Sequence, residues 1–398
     1  MREKYASLGY FGGNIVLTDA TEEEKYQLGG FVKKDYGKKS KITLSMELLN
    51  RSLLESKFYC FTWKQILEGY FNQELTINRQ IKEERNHQKD LFFQTICEKY
   101  AGKKGRAWLD TIFREKEKGY YVLIPQYEKD KEGLEQILIQ VLKAIERLPI
   151  FEDLCKRLPI FSAEITGNPH FFDDNTMAGK LLLYFLEYYF PSEEIKLIQS
   201  EMERKNYYFY NAGILRDDLS NMVLVYGIKG IDKEGEYHKG MEGYCERKEP
   251  IQLTLYTLQQ LKEVYGNETI YVVENPAVFS MLIEKYSEIS AICTNGQPRF
   301  STLLLMDLLS KNSIFYYSGD FDPEGLFIAQ KLKQRYKERL VLWNYDREHY
   351  EQMKSNVILT EKRLALLDNI ICEELIPMKR WIQVEKKAGY QENVMWEI

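Results

Sequence analysis

Cysteine is sparse in this sequence, and no two cysteines have the close spacing of a zinc ligand pair or a redox motif. The six cysteines are scattered over 398 residues, a pattern typical of reduced thiols in a cytoplasmic protein. The N-terminus has no apolar segment that resembles a signal peptide, and no apolar run is long enough to cross a bilayer. We therefore expect a cytoplasmic protein without a membrane span.

Several motifs of nucleotide-binding and hydrolytic enzymes are also missing. The sequence contains no GxxxxGK[ST], no GxGxxG after a strand, no GxSxG and no HExxH. These absences argue against a P-loop ATPase, a dinucleotide-binding enzyme, an α/β-hydrolase and a zinc protease of the HExxH type. The formal net charge is -5, so any contact with nucleic acid must come from local basic patches.

The length and the hydrophobic content of 44% predict two or three globular domains. We predict a mainly helical N-terminal region over 1–158, which includes a DNA-binding arm. A middle helical region over 159–249 would end in a glycine-rich linker at Gly227–Gly243. An α/β domain would occupy 250–398. A winged-helix module is one interpretation of the helical regions.

The N-terminal region combines predicted helices with basic clusters. Leucines at helical spacing predict an amphipathic helix over Ile42–Phe58, and Thr62 is a candidate cap for a second helix over Trp63–Phe71. Two basic clusters contain Lys33, Lys34, Lys103 and Lys104. A solvated loop and an arm that contacts phosphate groups are both open interpretations of these clusters.

From residue 250 onward, short β-branched and aromatic runs alternate with helical patterns. The runs Thr269–Val273, Ser290–Thr294 and Ser313–Tyr317 predict buried strands, and Pro276–Tyr286 and Pro323–Tyr336 predict helices between and after them. This alternation is typical of βαβ units in a parallel sheet flanked by helices. A further helix is expected over Leu253–Tyr265, and a further strand over Arg339–Trp343.

Acidic residues follow two of these strands. Glu274 follows the first strand, and Asp320 and Asp322 follow the third. Because parallel strands end at one edge of a sheet, we expect the three carboxylates to converge there. Carboxylate oxygens suit a hard cation, so the sequence predicts a Mg²⁺ site in which Mn²⁺ can substitute.

Simpler interpretations of these residues stay open. Asp322 precedes Pro323 and suits a helix cap, Asn275 precedes Pro276 in the same way, and Glu274 suits a solvated strand end. Aspartyl-phosphate phosphatases also carry a strand-terminal DxD, but normally on the first strand and with Thr or Val where this chain has Glu324. Asn295, Gln297 and Arg299 follow the second strand and are candidate phosphate-binding residues.

The segments ENPAVF, CTNGQP and GDFDPEG together resemble a Toprim domain, the metal-binding domain of topoisomerases, primases and several nucleases. The resemblance covers about 268–345. It is closest to the topoisomerase VI A-subunit group and, more narrowly, to the Toprim nuclease subunit of Wadjet anti-plasmid systems. The segments at 167–183 and 211–228 also resemble that family.

This resemblance implies a metal-dependent DNA endonuclease that hydrolyses phosphodiesters with Mg²⁺ held by Glu274, Asp320 and Asp322. Glu274 could instead act as a general base on water. The implied partners are double-stranded plasmid DNA, an SMC ATPase with kleisin-like subunits, and a second copy of the chain.

Two alternatives stay open within the same resemblance. One is a catalytically silent DNA-binding or docking subunit of the complex. The other is a transesterase that cuts with a tyrosine, as the topoisomerase relatives do, although none of the 29 tyrosines matches a local motif.

Overall fold

The computed structural model describes residues 1–198, 200–309 and 311–393, without the side chains of Glu194 and Lys196. The chain divides into two compact units between Lys99 and Tyr100. No helix in the described ranges combines the length and the apolar character that a membrane span requires. The three regions expected from the sequence stay a prediction.

The first unit combines a two-stranded antiparallel sheet with helices, and Thr62 caps the helix Trp63–Phe71 as predicted. The strands are β1 (Asn14–Thr18) and β2 (Lys41–Ser45). The helices are α1 (Arg2–Leu8), α2 (Glu22–Val32), α3 (Met46–Leu54), α4 (Trp63–Phe71) and α5 (Asn78–Tyr100). The core beside the sheet contains Val32, Tyr36, Ile42, Leu44, Met46 and Leu49.

The predicted helix over Ile42–Phe58 is wrong at its beginning, where the chain forms β2. Ile42 and Leu44 are buried while the residues on either side of Ile42 are exposed, which is the two-residue period of a strand. The helix starts only after Ser45, whose Oγ accepts a hydrogen bond from the Leu48 N–H at 3.2 Å. Pairing with β1 therefore outweighs the helical spacing of the leucines.

The second unit begins with a helical layer. Its helices are α6 (Lys103–Glu115), α7 (Tyr120–Lys129), α8 (Lys131–Glu146), α9 (Leu158–Thr166), α10 (Met177–Tyr189), α11 (Glu201–Asn211) and α12 (Lys239–Arg247). Short strands here are β3 (Lys156–Arg157) and β4 (Ile214–Leu215), which pair in parallel. The expected helical character of the N-terminal half is thus confirmed.

A six-stranded sheet is the centre of the second unit. Its order is β12-β11-β9-β10-β5-β7, and the first four strands are parallel. The strands are β5 (Met222–Tyr226), β7 (Ile251–Thr254), β9 (Thr269–Val273), β10 (Ser290–Cys293), β11 (Ile314–Ser318) and β12 (Leu340–Leu342). The predicted α/β fold with a parallel sheet is confirmed, whereas the Toprim and winged-helix assignments stay predictions.

Helices and small strands surround this sheet. The helices are α13 (Leu255–Leu258), α14 (Pro276–Lys285), α15 (Phe300–Leu308), α16 (Pro323–Tyr336), α17 (Arg347–Met353), α18 (Glu361–Leu364) and α19 (Ile376–Glu385). The remaining strands are β6 (Lys229–Asp232), β8 (Leu261–Tyr265), β13 (Lys354–Ile358) and β14 (Lys387–Gly389). Strands β6 and β8 pair with each other, as do β13 and β14.

Two predictions beside the sheet are wrong. The predicted helix over Leu253–Tyr265 is mostly β7 and β8, with the single turn α13 between them. The predicted linker over Gly227–Gly243 contains β6 and the start of α12. In both cases strand pairing with a distant segment decides the local structure: β7 pairs with β5, and β6 pairs with β8.

Candidate functional site

Two acidic residues follow neighbouring parallel strands. Glu274 comes directly after β9, and Asp320 follows β11 after Gly319. The register places Val273 opposite Ser318, so both strands end at the same level of the sheet. The Asp320 backbone N–H donates a hydrogen bond to Oε2 of Glu274 at 3.3 Å, across a sequence separation of 46 residues. The fold thus brings together two of the three predicted acids.

Asp322 caps α16 and also forms an ion pair. Its Oδ1 accepts a hydrogen bond from the Gly325 N–H at 2.8 Å, which confirms the predicted cap. Its Oδ2 accepts a hydrogen bond from Nη2 of Arg363 at 2.6 Å. The same guanidinium contacts Glu324 through Nε at 3.1 Å and through Nη2 at 2.6 Å. Arg363 therefore neutralises charge on the DxD side of the site.

The segment after β14 supplies a further part of the site. Two backbone hydrogen bonds between Phe321 and the end of β14 hold it in place. The Gln391 N–H donates to Oδ1 of Asp320 at 3.0 Å, and the Gln391 side chain accepts from the Asn275 N–H at 3.2 Å. Asn275 Nδ2 in turn donates to Oε1 of Glu392 at 2.5 Å. A fourth carboxylate therefore lies at the edge of the sheet where the predicted acids lie.

The electrostatics of these acids are unusual. Burial, together with the charge of Asp320, raises the pKa of Glu274 to about 7. Burial also raises the pKa of Asp320 to about 6, and the charges of Glu392 and Asp322 add to this effect. Carboxylates that repel one another resist ionisation, and a nearby cation stabilises their ionised form.

The chemistry of the acids fits a divalent cation, although their arrangement is not that of a bound metal. In the ranges that the structure describes, no three His, Cys, Asp or Glu side chains are grouped as metal ligands. Oδ2 of Asp322 instead forms an ion pair with Arg363. The oxygen-only donor set and the raised pKa values of Glu274 and Asp320 nevertheless suit Mg²⁺ or Mn²⁺. The three-acid metal site stays a prediction.

Gly319 and Tyr317 border the Glu274 carboxylate. A Cβ added at Gly319 would lie 2.7 Å from Oε2 of Glu274 and 2.6 Å from the Tyr317 hydroxyl, so glycine leaves needed space here. Tyr317 is fully buried, and its hydroxyl has no hydrogen-bond partner among the described residues. Burial and the charge of Glu274 hold the pKa of Tyr317 well above its usual range. A phenol in this state is a poor nucleophile.

The predicted phosphate-binding residues do not all lie beside the acids. Asn295 is exposed in a left-handed turn, and the next N–H, that of Gly296, donates to the Glu274 carbonyl oxygen at 3.2 Å. Gln297 is also exposed. Arg299 donates to the Ser220 carbonyl oxygen at 2.9 Å and lines a separate cavity of about 710 Å³. Of the three, Asn295 therefore has the clearest link to the site.

The four predicted basic residues have different environments. In the first unit, Lys33 pairs with Glu55 at 2.6 Å and Lys34 is exposed. In the second unit, Lys103 is exposed, whereas the Lys104 ammonium lies 3.8 Å from the centre of the Phe151 ring. Their role in binding DNA stays a prediction.

Sequence analysis missed Arg363, Gln391 and Glu392. The guanidinium of Arg363 comes from 41 residues beyond Asp322, and the Gln391 N–H from 71 residues beyond Asp320. The one indication in the sequence was that three acids expected to converge need a positive charge nearby. That signal does not indicate which of the 55 Lys and Arg residues provides it.

Comparisons with known proteins match the chain in two parts. Residues 11–230 match a family described as "Protein of unknown function N-terminus (DUF3323)". Residues 251–398 match one described as "Protein of unknown function C-terminus (DUF2399)". No curated protein gives a significant match to the chain. The acidic residues at the sheet edge all lie in the second matched segment.

Proposed function

We propose that this chain, which belongs to the family described as "Protein of unknown function N-terminus (DUF3323)", is a metal-dependent DNA endonuclease. The observation that carries this proposal is the contact between Glu274 and Asp320 at the carboxyl ends of neighbouring parallel strands. Both carboxylates have raised pKa values there. Ligand sites of α/β sheets lie at such edges.

In this proposal Glu274, Asp320 and Asp322 hold Mg²⁺ or Mn²⁺. The bound cation would supply positive charge that polarises the scissile phosphate and stabilises the leaving oxygen. If Glu274 does not hold the cation, it can instead accept a proton from the attacking water, because burial and the charge of Asp320 raise its pKa to about 7 in the metal-free protein. A general base is most effective when its pKa is close to the working pH. The Gln391 N–H orients Asp320 through its 3.0 Å hydrogen bond.

The proposed substrate is double-stranded DNA, delivered by an SMC ATPase with kleisin-like subunits to a homodimer of this chain. The resemblance of ENPAVF, CTNGQP and GDFDPEG to Wadjet nuclease subunits supports this part. So do the two matched family segments, which are the domain pair associated with Wadjet systems.

A second candidate function is that of a catalytically silent docking subunit. One observation favours it: Asp322 caps a helix and pairs with Arg363, and no three-acid metal group is present in the described ranges. Such a subunit would bind DNA or the SMC complex without cutting.

The test is cleavage of closed-circular plasmid by purified protein with Mg²⁺ or Mn²⁺, alone and with the SMC complex. EDTA, Glu274→Ala and a control variant, Glu284→Ala on the exposed side of α14, run in parallel. We expect metal-dependent nicking or linearisation by the wild type and Glu284→Ala, and none by Glu274→Ala. Equal cutting by Glu274→Ala would place that residue outside the site. No cutting in any mixture would favour the docking subunit.

A further inference from the structure

Arg363 is the cation that the fold places against the DxD segment. Its guanidinium bonds Asp322 at 2.6 Å and Glu324 at 2.6 and 3.1 Å, and its side chain is 32% exposed. The guanidinium of arginine is protonated at any working pH, so Arg363 brings a full positive charge to both carboxylates. An arginine fork of this kind can bind carboxylates and phosphates alike.

The position of Arg363 conflicts with metal binding at Asp322. Oδ1 of Asp322 already accepts a hydrogen bond from the Gly325 N–H at 2.8 Å, and Oδ2 accepts one from the Arg363 guanidinium. A divalent cation that binds Asp322 through Oδ2 would therefore compete with Arg363 for that oxygen, and its charge would repel the guanidinium. Glu324 lies on the exposed first turn of α16 and shares the guanidinium with Asp322.

We infer that Arg363 is an exchangeable counter-ion: it occupies Asp322 without metal, gives way when a divalent cation binds, and then pairs with a phosphate of the DNA backbone. The metal step of this inference rests on the proposed cation site, and its DNA step rests in addition on the proposed nuclease function. Glu324 holds the Arg363 guanidinium beside the acids, so a short movement of the Arg363 side chain suffices to reach a phosphate bound there. Arg363 would then contact the substrate directly.

The first test measures Mn²⁺ binding to the full chain by calorimetry. The substitution Arg363→Gln removes the competing guanidinium and should tighten Mn²⁺ binding about tenfold. This magnitude is typical of the loss of one partly exposed ion pair in an acidic site. The matched control is Arg347→Gln, because Arg347 also pairs with two carboxylates, Glu351 and Glu385, and is 44% exposed. Unchanged or weaker Mn²⁺ binding by Arg363→Gln would overturn the inference.

A double-mutant cycle assigns the effect to Asp322. Asparagine keeps the cap of α16, because an amide oxygen can also accept the Gly325 N–H bond. In an Asp322→Asn background, Arg363→Gln should no longer tighten Mn²⁺ binding. A full effect in that background would mean that Arg363 acts through another group.

The second test measures binding of a short DNA duplex by fluorescence anisotropy, with Ca²⁺ or with EDTA. Arg363→Gln should weaken binding several-fold with Ca²⁺ but not with EDTA, since the guanidinium is held by Asp322 and Glu324 when no metal is present. Equal weakening in both buffers would overturn the phosphate step. If the wild type does not cut plasmid, only the proposed nuclease activity fails, because neither binding assay depends on cleavage.

Discussion

The Asp320 backbone N–H donates to the Glu274 carboxylate at 3.3 Å, so two acids that are 46 residues apart in sequence lie against each other. The hydrogen bond itself lowers the pKa of Glu274, but burial and the charge of Asp320 outweigh it and raise that pKa. Burial and the charges of Glu392 and Asp322 raise the pKa of Asp320. Without a cation, the pair therefore retains a proton close to neutral pH. The stability of the protein and its affinity for a cation should therefore both depend on pH.

Stability of the metal-free protein should fall as the pH rises. The pKa of Glu274 is raised from 4.5 to about 7, and that of Asp320 from 3.8 to about 6, so the folded chain binds more protons than the unfolded chain between those values. The free energy of unfolding then decreases with pH across this window. The two shifts together correspond to a loss of about 4 kcal/mol from about pH 5 to about pH 7.5, measured by urea unfolding in EDTA.

The control for this prediction is Glu274→Gln, which removes the main titrating group. Its stability should vary less with pH than that of the wild type, and added Mg²⁺ should restore stability of the wild type at the higher pH. The prediction fails if wild type and Glu274→Gln lose stability in parallel.

Gly319→Ala should impair both cation binding and stability. The new Cβ would lie 2.7 Å from Oε2 of Glu274 and 2.6 Å from the Tyr317 hydroxyl, so both groups must move. We expect Mn²⁺ affinity, measured by calorimetry, to fall about tenfold, with a stability loss of about 1–3 kcal/mol from overpacking. Gly243→Ala is the control, since its Cβ would meet nothing within 4 Å. Normal Mn²⁺ affinity in Gly319→Ala would contradict the proposed location of the cation.

Tyr317→Phe should leave cutting intact. The Tyr317 hydroxyl is buried without a hydrogen-bond partner among the described residues, so its removal should leave stability unchanged or increase it by about 1 kcal/mol. The control is Tyr350→Phe, because the hydroxyl of buried Tyr350 donates to the Lys387 carbonyl oxygen at 3.0 Å. Its loss should cost about 1 kcal/mol in urea unfolding. Abolished cleavage by stable Tyr317→Phe protein would instead favour a tyrosine transesterase.

Glu392→Gln should weaken metal binding without unfolding the site. The Glu392 charge raises the pKa of both Glu274 and Asp320, and glutamine can keep the contact with Asn275 Nδ2. We expect Mn²⁺ affinity to fall about threefold, as for the loss of one exposed charge near the ligands. Glu373→Gln, an exposed acid elsewhere in this unit, should have no effect. Equal affinities in all three proteins would show that Glu392 does not influence the cation.

Local patterns predicted the strands and helices that carry the site. Thr269–Val273 and the helix Pro323–Tyr336 occur at the predicted residues, and Asp322 caps that helix as its position before Pro323 indicated. The predictions failed at the beginning of Ile42–Phe58, where leucine spacing favoured a helix, and over most of Leu253–Tyr265. There, hydrogen bonding to a strand far away in sequence outweighed the local preference.

Local sequence patterns were enough to locate the strand ends that carry the acids Glu274, Asp320 and Asp322, because the alternation of buried strands and capped helices is a local property. The residues that surround these acids depend on long-range packing. The order of the sheet placed β9 beside β11, and return of the chain after β14 added Gln391 and Glu392. The ion pair between Arg363 and Asp322 likewise depends on packing of distant segments. Such contacts arise from burial and charge pairing across the whole fold, which no short-range pattern of residues specifies.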